Sequence, residues 1–100
     1  MKKKKNNEKF KIYKTNLTNN GSIQYKGFLM KECYRYDKFN TVYYTMINTK
    51  TQKHVHASSI NAAFSIMDLA AYLIKSPYKY KNLRYKYPKS FLVRALKLSM

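Results

Sequence analysis

The chain has no tryptophan, two glycines, two prolines, one cysteine and four acidic residues in 100 positions. Each shortage excludes something. A lone Cys33 rules out an internal disulfide framework and fits a reducing compartment. Met1 and the lysines at 2–5 look like a charged leader, yet no apolar stretch follows them, so no secretory signal is expected and the expected location is cytoplasmic. No apolar run is long enough to span a bilayer; the longest, over 62–74, is broken by Ser65 and Asp68. The acids number only Glu8, Glu32, Asp37 and Asp68.

What is present is positive charge. Lysine and arginine total 21, for a formal net charge of +17. The charge gathers at the two ends. Residues 1–15 hold seven lysines against one glutamate, and residues 75–100 hold six lysines and two arginines with no acid. Charge of this density repels itself and works against a compact state, and a polyanionic partner is the usual reason to keep it. A/T-rich codons would account for lysine over arginine and for the many asparagines, tyrosines and isoleucines. They do not account for the shortage of acids. Hydrophobic residues at 45% and aromatic residues at 16% supply enough apolar surface for one small domain.

Periodicity predicts an α+β fold. Residues 1–8 read as a basic flexible tail, and 9–100 as a single domain whose segment 76–100 is basic and rich in tyrosine and lysine. The alternation over 9–15 reads as a strand, and Asn20-Gly21 as the turn of a hairpin. Residues 22–36, bent at Gly27, 41–48 and 53–57 complete a four-stranded antiparallel meander. Ser58 or Ser59 caps one long helix that runs to Lys75, packs on one face of the sheet and stops before Pro77. The segment 78–89 shows no helical period, and a short terminal helix follows over 90–98 with Phe91, Ala95 and Leu96 inward.

Pairing these strands across the expected turns places Cys33 opposite Tyr44, Met46 opposite Val55 and Tyr44 opposite Ala57. One face then holds Phe10, Ile12, Leu29, Cys33, Val42, Tyr44, Met46, Val55 and Ala57 as the core. The other holds Lys9, Lys11, Tyr13, Phe28, Met30, Tyr34, Tyr36, Tyr43, Thr45, His54 and His56. That second face is aromatic and basic at once, which is the chemistry of a nucleic-acid platform: rings for bases, lysines for phosphates. The segment beyond Pro77 repeats it, with Tyr78, Tyr80, Tyr85 and Tyr87 among Lys79, Lys81, Arg84, Lys86 and Lys89. The expected nucleic-acid contacts are therefore Lys9, Lys11, Tyr13, Tyr34, Tyr36, Tyr43, His54, His56, Lys79, Lys81, Arg84, Lys86 and Lys89.

Catalysis finds no motif. There is no paired-carboxylate pattern, no phosphate-binding glycine loop, no G-x-S-x-G and no deaminase zinc pattern. His54 and His56 are spaced like metal ligands, but no further ligands join them and Cys33 falls on the opposite face. Neither a metal nor a cofactor is expected.

The strand–strand–strand–helix order over 22–75 is similar to that of small sheet-based DNA readers. It is less similar to that of double-stranded RNA-binding domains, which open with a helix that is not expected here; no motif accompanies the likeness. The expected function is non-enzymatic nucleic-acid binding, DNA ahead of RNA, with no membrane association. The alternative is a small phage or mobile-element inhibitor or accessory protein that binds a nucleic-acid-handling protein.

Overall fold

The computed structural model describes residues 2–35, 37–39 and 41–100, with side chains from Lys11 onward. Tyr36 and the side chains of Lys9 and Phe10 lie outside the described residues. The order is α1 (Lys2–Asn20), β1 (Ser22–Tyr25), β2 (Phe28–Tyr34), β3 (Val42–Asn48), β4 (His54–Ala57), α2 (Ile60–Lys75), a 3₁₀ turn (Pro77–Lys79), α3 (Tyr80–Leu83) and α4 (Lys89–Ser99). The strands form one antiparallel sheet in the order β1-β2-β3-β4. This is the expected α+β meander carrying a long helix on one face, but its first strand is a different segment. No helix among the described residues is long and apolar enough to cross a membrane.

The segment over 9–15 is helix, not strand. Tyr13 and Leu17 stand one helical turn apart and both turn inward, with Leu17 fully buried, whereas Ile12 is exposed. Asn20-Gly21 ends that helix instead of turning a hairpin: Gly21 has φ +76° and its N–H donates to the Leu17 carbonyl at 2.7 Å, a left-handed helix cap. The hairpin lies six residues on. Lys26 and Gly27, both at positive φ, form the two-residue turn between Tyr25 and Phe28. The opening helix that the sequence did not lead one to expect is thus present.

The second departure is a register shift. Cys33 pairs with Tyr43 and Glu32 with Tyr44, one residue away from expectation. Arg35 N–H donates to the Thr41 carbonyl, so five residues, not four, fill the β2–β3 loop. Asp37 sets that length. Its carboxylate accepts from the Phe39 and Thr41 N–H groups, both at 3.1 Å, and from the Thr41 hydroxyl at 2.9 Å. The extra residue inverts β2, because strand side chains alternate faces. Phe28 and Met30, expected on the far face, are buried in the core, and Leu29 and Cys33 point away from it. The β3–β4 register is as expected, with Met46 opposite Val55 and Tyr44 opposite Ala57.

All three long helices lie on the same side. α1 covers β1, α2 packs on β3 and β4, and α4 packs against α2 and the β4 edge. The core joins Ile23, Phe28, Met30, Met46 and Val55 from the strands to Phe64, Ile66, Met67 and Leu73 of α2 and to Leu92, Ala95 and Leu98 of α4. In α4 the buried positions are Leu92, Ala95 and Leu98, and Phe91 only packs against the core edge. α2 begins at the expected cap, with Ser59 Oγ accepting from Ala62 N–H at 3.1 Å. Two polar links tie the layers together. Buried Asn48 donates from its side-chain amide to the Leu98 carbonyl at 2.9 Å. Tyr25 donates its hydroxyl to Asp68 at 2.8 Å, and Lys26 meets the same carboxylate at 2.7 Å. Burial, then Asp68, raises the Tyr25 phenol far above its ordinary pKa.

The packing sets three stability outcomes. Met67→Asp should abolish the cooperative melt, because it buries a charge in the core, whereas Ser65→Asp should fold, because that position is only half-buried beside Lys86. A Cβ at Gly27 meets nothing within 4 Å, so Gly27→Ala should cost only backbone strain, ~1–2 kcal/mol in a urea titration, with Gly27→Asn costing less. Asp68→Ala should cost ~1–3 kcal/mol. Lys26→Ala should cost less than about 1 kcal/mol, since that ion pair is substantially exposed.

Candidate nucleic-acid interface

With every long helix on one side, the other face of the sheet is bare among the described residues. Its cross-strand rows are Ser22, Lys31, Thr45 and His56, then Gln24, Leu29, Ile47 and His54, then Cys33 and Tyr43. Leu29, Ile47, Cys33 and Tyr43 are half-buried by their neighbours, and Gln24, Lys31, His54 and His56 are exposed. On the two central strands the apolar pair Leu29–Ile47 and the pair Cys33–Tyr43 flank exposed Lys31 and buried Thr45, and the edge strands add Ser22, Gln24, His54 and His56.

Tyr43 is the centre of a packed cluster. The Arg35 guanidinium lies 5.6 Å from its ring centroid, within cation–π reach. His56 meets the ring edge-on at 5.5 Å, and His54 lies 5.5 Å beyond His56. The His56 Nδ1 is 2.9 Å from Thr45 Oγ1, which is itself 3.6 Å from Cys33 Sγ. Burial lowers the His56 pKa, and His54, Lys97, Arg35 and Arg94 lower it further, which favours the neutral imidazole at pH 7. α4 adds its cations here. Arg94 and Lys97 line a cleft of about 260 Å³ with His54, Val55, His56 and Val93. Arg94 also borders a second hollow with Arg35, Tyr43 and His56.

The acids are held elsewhere. Asp68 is bound to Tyr25 and Lys26 on the helical side. Glu32 accepts the Tyr34 hydroxyl, also on the helix-facing side of β2. Asp37 commits its carboxylate to the β2–β3 loop, and those hydrogen bonds, above all from Thr41, hold its pKa below the usual carboxylate range. The bare face has no carboxylate of its own among the described residues, and the acid that acts on one of its cations is Asp37 of the loop, on Arg35.

The expected contact residues do not stay together. Tyr43, His54 and His56 are together on the bare face, as expected. Lys11 and Tyr13 belong to α1, and Tyr13 packs edge-on to Tyr25 at 5.0 Å and beside Phe64, so it is a core residue and not part of a sheet platform. Tyr34 lies on the opposite face from Tyr43, at 60% exposure, because of the register shift. Lys9 and Tyr36 fall outside the described side chains. Lys79, Lys81, Arg84, Lys86 and Lys89 belong to the helical layer. Tyr78 and Tyr85 stand out from that layer at 76% and 88% exposure, while Tyr80 and Leu83 pack against the core, so the segment has short helical structure after all.

Lys31, Arg35, Arg94 and Lys97 lie on or beside the bare face, and no pattern in the sequence singles them out. Arg94 and Lys97 are three apart on a helix whose inward positions are Leu92, Ala95 and Leu98, a spacing that marks the exposed flank of α4. Nothing local tells that this flank lies beside β4.

Chemically, the cluster can bind anions and stack planar groups. Cys33 and His56 share the bare face, contrary to expectation, but a threonine hydroxyl separates thiol from imidazole, and Glu32 is on the other side of the sheet. No group of three or more His, Cys, Asp or Glu among the described residues could hold a metal ion. No protein-family model matches the chain, and neither a characterised protein nor a solved structure matches it.

Proposed function

We propose that this protein is a non-enzymatic nucleic-acid-binding protein that uses the bare face of its sheet, DNA being favoured over RNA. The observation that carries it is the pairing of an uncovered aromatic surface with cations from three separate segments, Lys31 of β2, Arg35 just beyond it, and Arg94 and Lys97 of α4, with no carboxylate of that face among the described residues. Tyr43 and the Arg35 guanidinium present a planar, cationic surface suited to an unpaired base. The surrounding lysines, arginines and histidines suit backbone phosphate. The basic helical layer, from Lys79 to Lys89, adds general electrostatic attraction, and the lysine-rich start of α1 adds more. A polyanion on these surfaces relieves the self-repulsion of a +17 chain.

Binding to nuclease-treated protein, purified at high salt and measured by fluorescence anisotropy, should fall steeply with salt. For ~5–8 phosphate contacts the log–log slope on duplex DNA should lie near about −5 to −7. Absence of binding at low salt to single- and double-stranded DNA and RNA alike overturns the proposal. The two sides separate by substitution. Tyr43→Leu should weaken single-strand binding by ~1–3 kcal/mol with little change in slope. Lys31→Gln with Arg35→Gln should weaken it more than Lys79→Gln with Lys86→Gln; the reverse order would move the binding surface to the helical layer.

A further inference from the structure

We propose that the cleft at the β4 edge, lined by His54, His56, Arg94 and Lys97, seats a backbone phosphate of the bound strand, and that an imidazole takes up a proton as the seat fills. The inference rests on the nucleic-acid function proposed above and names its phosphate site and its regulation by pH.

The geometry has four parts. Two imidazoles stand side by side on one strand, 5.5 Å between centroids. A helix of another layer brings an arginine and a lysine to the same cleft, whose volume of about 260 Å³ admits a hydrated phosphodiester group. Among the described residues, the groups whose charge acts on His56 are all basic: Arg35 from the segment after β2, His54 of β4, and Arg94 and Lys97 of α4. From β3, Tyr43 and Thr45 contribute a ring edge and a hydroxyl, neither of them charged at neutral pH. A cleft so lined is complementary to one negative charge.

The hydrogen bond to Thr45 shapes the proton step. It engages Nδ1 at 2.9 Å, so Nε2 is not taken up by this bond, and His56 is one of the residues that line the cleft. A hydroxyl can donate to a neutral Nδ1 or accept from a protonated one, so His56 gains its proton without losing that partner. In the free protein, burial and the neighbouring cations hold the His56 pKa below its ordinary value. A phosphate reverses the second cause: it offsets the field of Arg94 and Lys97 and favours the imidazolium beside it. The bound state then holds more protons than the free state between the two pKa values. Affinity must therefore rise as pH falls through that window, by at most about tenfold per pH unit for each linked proton. None of the described acids, Glu32, Asp37 and Asp68, is among the groups that act on His56, so none supplies the same dependence through it.

The test uses the full chain and a labelled single-stranded oligonucleotide at constant ionic strength. Between about pH 8 and about pH 6, wild-type affinity should rise several-fold, by up to about tenfold per unit for one proton. The double variant His54→Asn, His56→Asn should be folded by circular dichroism, should bind more weakly than wild type, and should have lost most of that rise. Arg94→Gln with Lys97→Gln should weaken binding and also shrink the rise. Imidazole proton resonances, followed by NMR, should show the His56 titration moving to higher pH when the oligonucleotide is bound. A titration that stays in place with the strand bound overturns the proposal, as does an undiminished rise in the double histidine variant. Inorganic phosphate at the same phosphate concentration should leave the imidazoles unmoved; if it reproduces the shift, the cleft serves free phosphate and not a strand. Failure of the function itself looks different, since then the wild type binds no nucleic acid at any pH at low salt.

Discussion

The row Ile23, Met30, Met46 and Val55, one residue from each strand, is the contact on which the rest of the structure depends. All four are buried, two of them completely. They form the apolar floor on which α2 lays Ile66, Met67 and Leu73, and α2 in turn carries α4. Because side chains on a strand alternate, burying this row commits the neighbouring positions to the other face. Lys31, Thr45 and His56 lie one step along from it, so the composition of the bare face is a by-product of how the core is packed.

Polar chemistry is partitioned by the same rule. Each of the three described acids is committed to holding the fold. Asp68 pins the β1–β2 turn to α2, Glu32 pairs with Tyr34 on the helical side, and Asp37 holds the β2–β3 loop. Of these acids Asp37 acts on Arg35, and none is paired with Lys31, Arg94 or Lys97 in a salt bridge among the described residues. The cost is mutual repulsion, and depression of the His56 pKa is its local expression. The benefit is a surface that sets cations beside the Tyr43 ring and has no carboxylate of its own among the described residues. The Asn48 bridge to Leu98 matters here as well, because it fixes the end of α4 against β3 and so sets Arg94 and Lys97 beside the histidines.

The strongly patterned elements were legible in the chain itself. The capped apolar helix ending before Pro77, the β-branched and aromatic run that became β3, the short β4 and the terminal helix all stand within a residue or two of where their spacing puts them. The tight turn before β4 has its own asparagine, whose side chain accepts from Lys50 and Thr51 N–H groups, so the β3–β4 register is locally encoded. Tyr43, His54 and His56 could therefore be placed on one face from the sequence alone.

Elsewhere local signals had two meanings, and only packing chose between them. The alternation over 9–15 suits a strand, yet the inward pair Tyr13 and Leu17 suits a helix; the packing of the Tyr13 ring on Tyr25 and Phe64, distant in sequence, decides for the helix. Asn-Gly marks a hairpin and also a helix end, for the same reason, a backbone at positive φ. The face of β2 turned on one residue of loop, set by hydrogen bonds to Asp37, and that residue moved Tyr34 away from Tyr43 and brought Lys31 and Arg35 to it. The sequence determined the elements of the later chain, the excess of cations and the scarcity of acids. The tertiary structure alone decided which cations meet which rings, because a period-two strand converts a single-residue shift into a change of side, and because the approach of α4 to β4 depends on a core that no local window contains.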